Sequence, residues 1–225
     1  MQTEASMRES NDVQAPRPSK AGERIEIVAA VLLAVATVAT AWSGYQASRW
    51  SGEQATAFSA ASAARIESSR ASTRAGQEQQ VDIGLFTQWI NAYANDQAEL
   101  RDFYERRFRP EFRPAFEAWV ATHPRTNPSA PLSPFAMPEY KLAEQEVADR
   151  RLRDAEAASE LAKLDNQRSD NYVLCVVLFA AALFFAGIST RMDALRVRAA
   201  VVALGCVLFL GTVGWILTFP VSISV

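Results

Sequence analysis

The chain has 225 residues, 49% of them hydrophobic, with 23 Lys and Arg against 25 Asp and Glu. A formal net charge of −2 lacks the electrostatic footprint of a nucleic-acid-binding protein, so no nucleic-acid partner is expected. One histidine and two cysteines leave almost no material for metal or acid–base chemistry, and no cofactor and no catalytic or metal site is expected.

The average composition hides a strong segregation. Apolar residues gather near positions 25–45, 172–190 and 199–219, and the stretch between the first two blocks is charged. Runs of that length suit the hydrocarbon core of a bilayer, about 30 Å thick. The pattern predicts an all-α membrane protein with three transmembrane helices, two of them continuing into an external helical bundle or coiled-coil-like domain.

Residues 1–24 mix Glu, Ser, Asn, Asp and two prolines with four basic residues, and almost no large apolar side chains. Such a segment cannot bury enough surface to fold, so a disordered cytoplasmic tail is expected. Ala39-Thr40-Ala41 has the small-residue look of a leader cleavage site. The segment before it is long and partly acidic for a leader, and a retained anchor helix is expected instead.

Residues 25–75 read as one helix without a proline, about 76 Å long at 1.5 Å per residue, with residues 25–45 as its span. Ala30, Ala34, Thr37, Ala41, Gly44, Ser48, Ser51 and Ala55 recur at alternating spacings of four and three. Small side chains at that spacing let a partner helix approach closely, so these eight form an expected helix-packing seam. Glu26, at the inner edge of the span, is expected to pair with Arg24 or with the arginines of the loop at 191–198.

The external domain is expected over residues 46–171. Gly76 and Gly84 bracket a plausible bend in its first helix. Beyond them Phe86, Trp89, Ile90, Tyr93, Leu100, Phe103, Tyr104 and Phe108 form an aromatic stripe, predicting a core-facing helix that ends at Arg109-Pro110. Arg101, Arg106, Arg107, Arg109 and Arg113, interleaved with aromatics, are candidates for an anionic-ligand patch. Asp102, Glu105, Glu111 and Glu117 nearly neutralise it, and a solvated helix face is the expected reading. Five prolines fall between 124 and 138, within a Pro-rich loop spanning 110–138. The lone histidine, His123, sits in it with no second ligand type nearby.

A second long helix is expected from residue 139 to about 189, its span at 172–190. Ala148, Leu152, Ala155, Ser159, Ala162, Asn166, Ser169, Val173 and Val176 repeat the four–three spacing and offer a seam to the first helix. A cytoplasmic loop at 191–198, a third span at 199–219 and an external C-terminus at 220–225 complete the layout. Cys175 and Cys206 lie at different depths of their spans, and no disulfide between them is expected.

Positive charge fixes the expected orientation. Arg8, Arg17, Lys20 and Arg24 precede the first span, and Arg191, Arg196 and Arg198 lie between the second and third. Both clusters belong on the cytoplasmic side, which puts the middle domain outside, periplasmic or extracellular.

Four segments resemble a family of uncharacterised bacterial three-span helical membrane proteins, a domain of unknown function. They are Trp-Ser-Gly-Tyr-Gln-Ala-Ser-Arg-Trp (42–50), Ser-Pro-Phe-Ala-Met-Pro-Glu-Tyr (133–140), Leu-Phe-Phe-Ala-Gly-Ile-Ser-Thr (183–190) and Phe-Pro-Val-Ser (219–222). The resemblance covers most of residues 22–225. It implies a bacterial inner-membrane location and this layout, and no activity.

The expected function is therefore an integral membrane scaffold or interaction protein of the bacterial envelope, not an enzyme. Its expected partners are the lipid bilayer and further copies of itself or another envelope protein. A channel or transport component, or a helical-bundle sensor subunit, are the alternatives. No central charge or broken helix interrupts the spans, which weighs against a channel, and no cytoplasmic output domain is expected after them, which weighs against a sensor.

Overall fold

A computed structural model of the chain describes residues 20–222. The tail reading for residues 1–24 falls mostly outside these, as does the end of the C-terminal segment. Every regular element described is helical: α1 (Lys20–Ala94), α2 (Ala98–Glu105), α3 (Arg113–Ala121), a 3₁₀ turn at Pro134–Ala136, α4 (Ala143–Ser189) and α5 (Leu195–Ile216). α1, α4 and α5 are long and apolar enough to cross a membrane. The chain thus has the composition of a multi-pass membrane protein. Its contacts divide it into two compact units: one of the residues up to Ala55 and from Lys163 on, the other Thr56–Ala162.

In the first unit α1, α4 and α5 form a three-helix bundle. α4 turns inward Tyr172, Cys175, Phe179, Ala182, Ala186 and Ser189, a strict alternation of three and four. α1 buries Ala29, Ala36, Ser43 and Trp50, one every seven residues, with Leu32, Gln46 and Ala47 widening the stripe. Gly205 of α5 lies against both other helices. A Cβ there would lie 3.2 Å from Leu32 Cδ2 and 3.4 Å from the Ala182 carbonyl oxygen. Valines and leucines on the opposite faces, such as Val38, Val207 and Leu210, are exposed. Lipid is the solvent in which that costs nothing.

Two polar clusters close the bundle's ends. The Gln46 side-chain amide donates to the Ser222 carbonyl (3.3 Å) and accepts from the Ser222 N–H (3.1 Å). Beside it Tyr172 donates to the Pro220 carbonyl at 3.0 Å, and Ser169 donates to the Ala47 carbonyl at 2.9 Å. At the other end Glu26 pairs with Arg198 at 3.6 Å, one of the loop arginines expected for it. Both cysteines are free thiols.

The second unit starts as an antiparallel helix pair. Glu67 meets Arg151 at 2.9 Å, and the later Arg74 meets the earlier Glu144 at 3.9 Å. Between them the Ser68 hydroxyl donates to the Ala148 carbonyl at 2.9 Å. Alanines line this contact: Ala57, Ala61, Ala71 and Ala75 on α1, Ala148, Ala155 and Ala162 on α4. Side chains that small bring a serine within reach of a neighbouring backbone. α2, α3 and the Pro-rich segment fold over the end of the pair around Phe86, Trp89, Phe108, Phe112, Phe116 and Trp119.

Three expectations are corrected here. α1 does not bend at Gly76 or Gly84; it runs through both to Ala94. An isolated glycine weakens a helix by about 1 kcal/mol, and continuous packing on one side offsets that. The stop comes instead at Asp96, in the left-handed region at φ 55°. There the Gln97 N–H reaches back to the Ala92 carbonyl (2.9 Å) and the Asp96 N–H to that of Tyr93 (3.4 Å), a Schellman end. Accordingly, no single helix runs from Phe86 to Arg109. The aromatic stripe is shared among α1, α2 and the segment leading to α3, and Ile90, Leu100 and Phe103 stay exposed. The proline-rich stretch also holds more structure than a loop, with α3 starting at Arg113 and Pro114 in its first turn.

The two seams stand differently in the chain's own packing. All eight residues of the α1 set, Ala30 through Ala55, are exposed in this chain, and the buried face lies one position earlier. Ala29, Ala36, Ser43, Ala47 and Trp50 stand where Ala30, Thr37, Gly44, Ser48 and Ser51 were expected. One residue is a rotation of about 100°. On α4, Ala148, Ala155, Ala162 and Ser169 do turn inward, but Leu152, Asn166 and Val173 are exposed. Asp165 and Tyr172 fill that second row.

Candidate functional site

The five candidate arginines do not converge. Arg101 binds the neighbouring Asp102 carboxylate at 3.0 Å. Arg107, in the turn after α2, folds back on that helix, its guanidinium 3.5 Å from the Phe103 ring centre and donating to the Phe103 carbonyl. Arg113 donates to the carbonyls of Phe108 and Arg106 at 3.3 and 3.2 Å, tying the turn before α3. Arg106 is exposed. Arg109 turns inward and joins a network that the sequence reading missed.

That network lies where α1 meets the α2–α3 segment. Asp82 sits on the buried face of α1, seven residues after Ala75 and seven before Trp89, and its side chain is fully out of water. Arg109 donates to Asp82 Oδ2 at 3.0 Å and to Glu78 Oε2 at 2.8 Å, with Glu111 3.5 Å away. The Tyr140 hydroxyl donates to the same Asp82 oxygen at 3.2 Å, and among the described residues Asp82 Oδ1 has no hydrogen-bond partner. Burial pushes the Asp82 carboxyl above the usual aspartate range; the Arg109 charge and the Tyr140 bond pull against it without prevailing. Burial, and then the facing Asp82 charge, push the Tyr140 phenol above its ordinary value. The phenol therefore remains a donor.

The aromatic cluster packs directly on this network. Phe112 meets Tyr140 edge-on at 5.9 Å and stacks on Phe135 at 5.2 Å, while Phe86 meets Trp119 edge-on at 5.3 Å. Trp119 donates its indole N–H to the Pro131 carbonyl at 2.7 Å, which holds the proline-rich segment down. The signal for Asp82 was present in the sequence: a carboxylate at a heptad core position needs a buried cation. Which arginine would supply it could not be read, because several lie within a few residues of one another.

The α1 seam residues form a continuous exposed face from Ala30 to Ala55, all within the first unit. They are small and lie beside, not on, the face that the chain uses for its own bundle. Among the described residues no group of three or more His, Cys, Asp or Glu is placed to hold a metal ion. Comparison of the chain with known protein-family models, curated proteins and solved structures yields no match of any kind.

Proposed function

We propose that this chain is a membrane-anchored scaffold of the bacterial envelope that self-associates through the exposed small-residue face of α1. In this reading the tail and the loop at 191–198 are cytoplasmic, and the unit Thr56–Ala162 projects outside as a helical interaction domain. The segments quoted above resemble those of uncharacterised bacterial three-span proteins, and that resemblance supports an envelope location.

One observation carries the proposal. Ala30, Ala34, Thr37, Ala41 and Gly44 keep a close-packing spacing along a span, yet the chain's own α4 and α5 leave them exposed. In lipid no hydrophobic force buries a helix face; close backbone approach between small residues is what holds helices together. The test is the oligomeric state of the full chain in detergent, read by light scattering. Ala41→Leu should shift an oligomer toward monomer, since such contacts contribute about 0.6–2 kcal/mol apiece. Val35→Leu, on an exposed face of α1 away from the seam, is the control. Ala36 cannot serve, because it is fully buried in the chain's own bundle. A wild-type chain that is monomeric at all concentrations, or equal effects of the two variants, would refute the proposal.

A further inference from the structure

The end of the second unit carries a cleft of about 810 Å³ that the scaffold reading does not use. It lies between the end of α1, α2, α3 and the turn at 123–126, all within one unit. Its volume falls in the range of small-molecule sites. Trp89, Tyr93, Phe116 and Trp119 make its floor. That floor is rigid: Phe86 and Tyr93 both stack parallel to Trp89, and Trp89 donates its indole N–H to Glu105 Oε2 at 3.3 Å. With its ring faces taken by these neighbours, Trp89 offers no open platform for a sugar ring. It presents apolar edges.

The rim carries two guanidinium groups, Arg101 and Arg125, and two carboxylates, Asp102 and Glu105. Arg101 and Asp102 neutralise each other at 3.0 Å. That leaves one cation and one anion to meet a ligand. Arg125 is held with its guanidinium 5.1 Å from the Tyr93 ring centre, and Glu105 stands on α2 with one oxygen on Trp89. The turn bearing Arg125 is fixed by His123, which adopts φ 52° while its carbonyl accepts the N–H groups of Thr126 and Asn127, both at 3.0 Å. A left-handed histidine is strained in the folded chain, and such strain gathers at binding sites.

We infer that this cleft binds a small zwitterion of the amino-acid type, the size of a dipeptide, with its carboxylate on Arg125, its ammonium on Glu105 and its apolar side chains on the aromatic floor. A simple anion would face the Glu105 carboxylate and a simple cation the Arg125 guanidinium. A molecule carrying both charges and an apolar body satisfies all of the lining.

The test uses the full chain in detergent micelles and isothermal titration with the dipeptide Leu-Phe, its N-acetyl form and its C-terminal amide. Leu-Phe should bind, and each blocked form should bind about three- to fivefold more weakly, since an exposed rim charge then loses its partner. Arg125→Gln should weaken Leu-Phe and abolish its advantage over the amide. Glu105→Gln keeps an acceptor for Trp89 and should abolish the advantage over the N-acetyl form. Val120→Trp, which fills the cleft from an exposed lining position, should remove binding while helicity is unchanged. It keeps the test decisive if a rim variant fails to fold. No binding of Leu-Phe up to about 10 mM, weaker than any useful small-ligand affinity, would overturn the inference. So would equal binding of all three probes, discrimination that survives in both rim variants, or binding that survives Val120→Trp.

Discussion

Removing the Arg109 guanidinium would strand a carboxylate that has no contact with water. Asp82 is fully buried, and Arg109 is its cationic partner. Breaking a buried pair from one side typically costs about 3–5 kcal/mol, because the remaining charge is left uncompensated. Arg109→Gln should therefore lower the stability of the folded chain by about 3 kcal/mol in a denaturant titration. Arg106→Gln, at an exposed position, should change it by less than about 1 kcal/mol. Adding Asp82→Asn to Arg109→Gln should recover much of the loss, since the amide needs no counter-charge; a double variant as unstable as Arg109→Gln alone would contradict this. The pH dependence follows from the same group. Burial raises the folded carboxyl above an ordinary aspartate's 3.8, so the folded chain holds that proton more tightly than the unfolded one. The Asp82 contribution is fully present below 3.8 and is lost as pH rises through the folded value. The stability of wild type minus that of Asp82→Asn should accordingly fall on leaving acid and then level off. A difference that rises with pH would reverse the assignment.

At the scale of the elements, close approach depends on single small residues. Gly205 stands where α1, α4 and α5 meet, and a Cβ there would touch Leu32, Ala182 and Phe185. The Leu32 methyl can yield, whereas the Ala182 carbonyl belongs to a helix backbone and cannot. Gly205→Ala should be tolerated with little loss. Gly205→Leu should separate the helices and destabilise the bundle by about 1–3 kcal/mol, read by thermal unfolding in detergent. Gly211→Leu is the control, because a Cβ there would meet nothing within 4 Å. Equal losses at 205 and 211 would mean that Gly205 is not the contact point. The alanine contacts between α1 and α4 in the second unit follow the same rule in water, where Ala71 and Ala75 are almost completely buried.

For the molecule as a whole, orientation is the property to test. Positive residues flank the start of α1 and the short connection between α4 and α5, the sides that the orientation proposed above puts in the cytoplasm. On a Cys175→Ala, Cys206→Ala background, Ser129→Cys should react with an impermeant thiol reagent on intact cells. Asp193→Cys should react only after the membrane is opened. Labelling at 193 and not at 129 would invert the proposed topology.

The three membrane-length helices and the charged stretch between the first two were legible in the linear sequence. Each depends on composition over windows of twenty residues, which no tertiary contact can alter. Face and partner were not legible. About half of residues 30–55 are small, so a shorter ladder, Ala36, Thr40, Ser43 and Ala47, runs beside the longer one, and small-residue spacing alone does not say which face the chain's own bundle buries. The choice was made by Leu32, Gln46 and Trp50, whose bulk and hydrogen bonds fit only against α4, α5 and Ser222, and so the buried face moved by one residue. For the same reason Arg109 became a buried anchor while Arg106 stayed exposed. Both carry the same charge three residues apart, and only the fold over the end of α1 puts one of them beside Asp82.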